Sequence, residues 1–517
     1  MSSAASRLLN KIFRMQKYLN LLKNIVFWWS ALETMILWAI VVFYLLVMLG
    51  IGVWAKKFIK STDDYLLAGR RLGVLLAAAT LAATHYGGGF VLGGASWGAT
   101  YGLGGFWYGA ACGLGLALLG ITFAKLSRAL ALYTVPELLR MRYRGYSVQA
   151  ISALLSLLAL VGIIGAQVWA AGAVFEAMGL PGLWGSILAT IIFIAYTAIS
   201  GLWAVTLTDF IQIILGTIGV VIATALALVS VGGFAGIEDR LSELYSAGVI
   251  SSPPSEYFNI FSPGAAVIVL TVVATVMYTL IGQDFYQRLF ASKDEKVAVR
   301  ASLLSGIFLI VVSFIPAIAG MAALALSPSP GEILKTPRIA IPHLILVMLG
   351  PIVGAIFIAA ILAAVMSTAD SLLLAATSHV VRDFYYRFNP RITDRQMLKL
   401  SIIVTIIVGV FSLAAALTVR GIIELLIYSY DLYTSGVFVP LVLGLLWKRA
   451  TKEGAVAGMI AGFIASLAGI MGLIPAEIYE IIYVWGALVS FIVMIVVSLI
   501  TKPTQPEEQL AKLLKWG

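Results

Sequence analysis

Long apolar stretches, each closed by a short polar break, recur along the whole chain. Runs long enough to cross a bilayer as helix, about 20 residues, fall at 34–54, 73–98, 100–126, 149–177, 181–199, 203–232, 263–285, 299–326, 341–378, 397–418, 421–446, 453–473 and 480–500. The pattern predicts an all-α polytopic membrane protein with about 13 transmembrane helices. The thinnest boundary is the one between 181–199 and 203–232, where little more than Gly201 and Leu202 separates two spans.

Two of these spans are broken in their own sequence. The second contains "AATHYGGGFVLGG", Ala82 to Gly94. Each glycine of the triplet Gly87, Gly88, Gly89 weakens a helix by about 1 kcal/mol relative to alanine. Unwound backbone at membrane depth is tolerated where it lines a cavity or is buried in protein; close helix packing by small residues is the alternative. The seventh span carries "MYTLIGQDFYQR", Met277 to Arg288, with Gly282 followed by Gln283 and Asp284. Interruptions at corresponding places in two halves point to an inverted-repeat transporter. The spacing fits two five-helix repeats, 73–232 and 263–446. Around them lie an amphipathic N-terminal extension at 1–34, a first span and loop at 35–72, and a loop at 233–262. Peripheral helices at 447–500 and a tail at 501–517 follow.

Polar groups sit deep inside one apolar run. In "AAVMSTADSLLLAAT", Ala363 to Thr377, the residues Ala364, Ser367, Thr368 and Ser371 share one helix face, beside an ionisable Asp370 that is costly at such depth. Hydroxyls bonding back to their own helix would satisfy them without any ligand.

Composition narrows the class. Of 517 residues 61% are hydrophobic and 11% charged, which excludes a soluble domain. Cys112 is the sole cysteine, so an internal disulfide and a cysteine zinc cluster are excluded. His85, His343 and His379 lie too far apart to suggest a structural metal. The net charge of +10 does not indicate nucleic acid, because the basic residues sort into alternate loops. The loops 56–72, 125–148, 284–300, 379–399, 448–452 and the C-terminal tail hold 25 Lys and Arg, and the opposite loops hold four. The positive-inside rule then places the C-terminus in the cytoplasm and the N-terminus outside a plasma membrane. Arg288 and Lys293 are counted with the cytoplasmic loops. The five basic residues of 1–33 disagree with this sidedness; the segment lies in the interface or precedes a true start at Met35. The expected partners are the lipid bilayer and a small-molecule substrate, with no obligatory protein partner. No hydrolase or metalloprotease motif is present, so no enzyme is expected.

Several motifs together resemble the sodium:solute symporter family, which includes sodium-coupled proline, pantothenate, sialic acid and sugar transporters. They are "STDDYLLAGRRLG" (Ser61 to Gly73), "YTAISGLWAVTLTDFIQ" (Tyr196 to Gln212), "GQDFYQRLFASKD", "MSTADSLLLAAT" and "LGLLWKRATKEGAVAG", in that order. The resemblance implies a five-plus-five, leucine-transporter-like core whose repeats each begin with a broken helix. It implies a coupling Na+ held by the hydroxyls of Ser367 and Thr368 and the carbonyls of Ala364, Ala83 and Tyr86. It further implies a second sodium at Asp209, Asp370 and Ser371, although two carboxylates so close could instead share a proton, and Asp370 could pair with Arg382. For the substrate, Tyr278 resembles an aromatic gate. His85 stands where relatives have Asn or Asp, and acidic and amide groups of sugar-carrying relatives are replaced here by glycine or Phe90. Exposed N–H groups of Gly87, Gly88 and Gly89 suit a carboxylate, which favours an amino acid or organic acid over a sugar. Gln167, Gln283, Tyr428 and Tyr430 are further candidate contacts. The expected function is sodium-coupled symport by alternating access; proton coupling through Asp209 and Asp370, or solute sensing on the same fold, are the alternatives.

Overall fold

The computed structural model describes residues 34–516 apart from 338–339, 419–421 and 476–483. The predicted N-terminal extension up to position 33 therefore lies outside the described residues. Among those described, the chain is helical, and its only β-type pairing is an isolated bridge between Leu72 and Ser292. Among the described residues, ten helices are long and apolar enough to cross a membrane, or eleven if the bent pair Ala265–Ile281 and Gln283–Ala291 counts as one crossing. The pattern alone predicts thirteen. The expected second and last spans enter as shorter apolar helices, Val74–His85 and Trp485–Ile500, the former because it breaks.

The thin boundary near Gly201 is real. Helical hydrogen bonding runs on from Gly182 to Val231, but Gly201 sits at φ 53° and ψ −147° and turns the chain. A side chain there would be strained by the positive φ and would also strike the Tyr65 carbonyl, 2.4 Å from the position of a Cβ. Tyr65 comes from the short helix Thr62–Leu67, capped by Ser61 Oγ accepting from the Asp64 N–H. Its hydroxyl meets Thr405 Oγ1 at 3.1 Å.

The helix Ala340–Ser378 forms the centre of the molecule. The apolar window of Gly354–Phe388 is 94% buried, against 33% for Thr34–Phe58. Its Ala-rich face allows close approach on every side, the usual device where lipid offers no hydrophobic drive between helices. A π-helical turn, His379–Tyr385, ends it. The loop helix Val135–Tyr143, capped by Thr134 with Pro136 in its first turn, locks onto this end. Thr134 Oγ1 donates to Asp383 Oδ1 at 2.7 Å, and the Arg382 guanidinium lies 3.7 Å from the centre of the Tyr133 ring.

Candidate functional site

The second span breaks immediately after His85. In an unbroken helix the Gly87 N–H would bond the Ala83 carbonyl and the Gly88 N–H the Thr84 carbonyl. Instead the Gly87 N–H donates to His85 O at 2.8 Å, in a tight turn. The Gly88 N–H donates to Gln167 Oε1 at 3.0 Å. The Ala83 carbonyl is thereby released, and the helix Ala340–Ser378 meets it. Ser367 Oγ lies 3.4 Å and Thr368 Oγ1 3.2 Å from Ala83 O. The same hydroxyls are 2.9 and 3.5 Å from Ala364 O. Three of these four separations exceed the ordinary O–H···O range of 2.5–3.0 Å. Oxygens gathered loosely from two helices, without a carboxylate among them, suit a shared hard cation better than a set of hydroxyl–carbonyl bonds. Tyr86 is the residue at which the helix ends, and its ring packs on Phe90 at 5.0 Å.

The glycine triplet is required by close approach. A Cβ on Gly87 would lie 2.2 Å from Thr368 Oγ1, one on Gly88 2.6 Å from Ala170 Cβ, and one on Gly89 2.7 Å from the Tyr108 hydroxyl. This corrects the expectation of an anion-binding nest. The N–H groups of Gly87 and Gly88 are already engaged within the protein, and the glycines let three neighbouring helices touch the break. Gln167 is likewise a pin for the broken helix rather than a free contact. π-helical Gly89–Gly93 then carries the chain back into regular helix, a distortion common at functional sites.

A ring of aromatic groups adjoins the break. His85 Nε2 lies 3.0 Å from Thr279 Oγ1. The Thr279 hydroxyl donates to Thr275 O, so it accepts here and Nε2 carries the proton. The imidazole packs on Phe285 at 4.3 Å. Tyr278 stacks on Tyr430 at 4.2 Å and points its hydroxyl at Asp284 Oδ1, 3.3 Å away. Tyr108 lies beside Tyr430. The structure thus joins His85, Tyr278 and Tyr430, three of the expected substrate residues. Tyr108, Phe285 and Thr279 join them without any signal in their local sequence. Tyr428 is half-buried, two residues before Tyr430. Gln283 is a correction: its side chain is used up at the loop, accepting from the Val135 N–H and donating to Tyr133 O, both at 2.8 Å.

The remaining predicted ion ligands form a second cluster. Asp209 Oδ2 accepts from Thr80 Oγ1 at 2.5 Å. Asp370 Oδ2 accepts from the Tyr196 hydroxyl at 2.5 Å; the alternative pairing with Arg382 is not made, since that guanidinium meets Glu137 at 3.4 Å. Asp209 Oδ1 and Asp370 Oδ1 have no hydrogen-bond partner among the described residues. Arg288, expected in a loop, is fully buried here. Its Nη2 donates to Ser371 Oγ and lies 4.0 Å from Asp209 Oδ2. Lys293, expected in the same loop, is exposed.

Comparisons with known proteins agree with this architecture. A family model described as the sodium:solute symporter family matches residues 65–462. The osmoregulated proline transporter OpuE of Bacillus subtilis is 27% identical over 89% of this chain and 94% of its own. The sodium/pantothenate symporter of Escherichia coli is 29% identical over 81% and 87%, and the zebrafish (Danio rerio) sodium/glucose cotransporter 4 is 26% identical over 92% and 80%. Among solved structures, the substrate-bound outward-open state of a Na+-coupled sialic acid symporter superposes with a TM-score of 0.76 at 23% identity, covering 91% of this chain and 98% of that one. A nucleobase-cation-symport-1 family transporter in a closed conformation gives 0.56 at 16% identity, covering 86% and 96%. The protein is a multi-pass membrane transporter and not an enzyme, and it belongs to the sodium:solute symporter family.

Proposed function

We propose that the chain couples inward movement of one small organic solute to a sodium ion held at Ala83, Tyr86, Ala364, Ser367 and Thr368. The observation that carries this reading is the Ala83 carbonyl, freed by the break and met by two hydroxyls of the central helix. Neutral oxygens hold a hard cation weakly enough for it to leave. An ion there ties the broken helix to Ala340–Ser378, and its loss to a low internal concentration loosens that tie. The five-plus-five division at 73–232 and 263–446 supplies the two bodies that rock about it. Asp209, Asp370 and Ser371 form a second cation position. The basic loops face the cytoplasm, with the C-terminus inside and the N-terminus outside a plasma membrane.

The substrate stands beside the ion against His85, Tyr278 and Tyr430. An amino acid or small organic acid is favoured: the proline and pantothenate carried by the relatives named above are both carboxylates, and the sugar carrier lies at lower identity. Replacing both hydroxyls, Ser367→Ala with Thr368→Ala, removes two ion contacts of about 1.5–3 kcal/mol each and is expected to weaken sodium binding at least about 100-fold. Sodium-dependent uptake at wild-type sodium concentrations in that variant would overturn the assignment. The substrate class is read from thermal stability with and without sodium across amino acids, organic acids and sugars, since a ligand of the folded state raises the melting point. Stabilisation by sugars alone would overturn the acid reading.

A further inference from the structure

The second cation position already faces a cation. Arg288 is carried by the short helix Gln283–Ala291 and is fully buried. Its Nη2 donates to Ser371 Oγ and approaches Asp209 Oδ2 at 4.0 Å. Its Nε donates to Thr80 Oγ1 at 3.2 Å, the hydroxyl that in turn donates to Asp209. Its Nη1 donates to Asp284 O at 2.9 Å. Every nitrogen of the fork therefore has an oxygen partner, and three of the partner residues, Ser371, Asp209 and Thr80, belong to the second position or hold it in place.

A guanidinium keeps its charge at any working pH. Buried without carboxylate and oxygen partners it would be strongly destabilising; here the predicted ion ligands supply them. A sodium ion placed against the same Asp209 and Ser371 oxygens would sit within contact range of that charge, in a medium that screens poorly. The Tyr196 hydroxyl occupies one oxygen of Asp370, the remaining acid of the cluster.

We propose that Arg288 is the resident cation of this position, so that the protein binds a single sodium ion, at Ala83, Tyr86, Ala364, Ser367 and Thr368. Arg288 thereby sets ion stoichiometry as a positioning residue. The inference rests on the sodium reading above. Withdrawing its charge opens Asp209 and Ser371 to a second sodium.

The test is equilibrium binding of radioactive sodium to the purified full-length protein, counted per chain at saturation. Wild type is expected to bind one ion with a Hill coefficient of 1. Arg288→Ala is expected to bind two, and the second is lost when Asp209→Asn is added; Arg288→Lys, which keeps the charge, stays at one. Two ions per wild-type chain, or one per folded Arg288→Ala chain, would overturn the inference and leave the main sodium position standing. If Arg288→Ala does not fold, the wild-type count alone decides. Sodium binding that survives Ser367→Ala with Thr368→Ala would overturn the main position instead.

Discussion

At the first break, after His85, the chain releases a carbonyl to neutral hydroxyls of the central helix. At the second, at Gly282, the chain bends by 46° and starts a new helix whose first turn carries Asp284 and whose last turn carries Arg288. The surroundings differ as much as the geometry. The first break is held by single contacts of uncharged groups: Gln167 on Gly88, Ser367 and Thr368 on Ala83. The second is held by pairs and charges: both ends of Gln283 on the loop 133–135, and Arg288 among Thr80, Ser371, Asp209 and Asp284. Uncharged oxygens suit the ion proposed there, which has to leave, whereas paired charges suit a joint that has to stay. A distorted helix in a membrane transporter is therefore not one device; what surrounds the distortion decides its use.

The largest effect expected from this contrast is at Gly87. An added Cβ would meet Thr368 Oγ1 at 2.2 Å, so Gly87→Ala drives the two helices apart, at a cost of about 1–3 kcal/mol. It is expected to abolish sodium-dependent uptake. At Gly282 the same change meets Asp284 Oδ1 at 2.6 Å and Phe285 Cδ2 at 2.8 Å, a milder clash, and costs less. Melting temperatures and sodium titrations of the two variants compare the breaks directly; equal losses would erase the distinction. Next come the glutamines. Gln283→Leu orphans the Val135 N–H and the Tyr133 carbonyl, and Gln167→Leu orphans the Gly88 N–H, each orphan costing about 1–3 kcal/mol. Gln283→Leu is expected to lower the melting temperature more, and Gln167→Leu to weaken sodium binding more. The reverse order would show that the first break is not the ion-bearing one.

The smallest effect concerns the loop that Gln283 holds. Burial pushes the Glu137 carboxyl up to about 7, against the pull of the Arg382 guanidinium. A carboxyl raised above its ordinary value of 4.5 contributes stability that is present below that value and lost as pH rises toward 7. Wild-type melting temperature should therefore fall between about pH 4.5 and 7 by more than that of Glu137→Gln. Parallel curves would mean that this acid titrates alike in the folded loop and the unfolded chain.

Much of the architecture is legible in the chain alone. Apolar runs mark where it crosses the bilayer, and Gly201 marks a junction between two of them. The spacing of Ala364, Ser367 and Thr368 puts them on one face because helical period alone decides that. Partners distant in sequence are what the chain does not disclose. Arg288 reads as a loop residue because it lies near the end of an apolar run; its partners Thr80 and Asp209 are on other helices, and no local pattern announces them. Gln283 fails as a ligand for the same reason, since its partner is loop backbone. The glycine triplet suggests N–H groups free to bind an anion, when its use is to let Thr368, Ala170 and Tyr108 come close. The count of spans slips because a broken helix is shorter than the apolar run that encodes it.

The absence of any carboxylate among Ala83, Ala364, Ser367 and Thr368 has an electrical consequence. With no ion bound, that position is neutral; on the sodium reading proposed above the ion gives it one positive charge, while the Arg288 guanidinium stays charged throughout. With a zwitterionic amino acid as substrate, the loaded crossing therefore carries one more positive charge than the return crossing; a singly charged organic acid would cancel it. A membrane potential acts on the loaded step alone, by up to about 2.3 kcal/mol per 100 mV for a charge that traverses the full field. Uptake of a zwitterionic amino acid should rise as the inside is made more negative, whereas uptake of a singly charged acid should not respond to the potential.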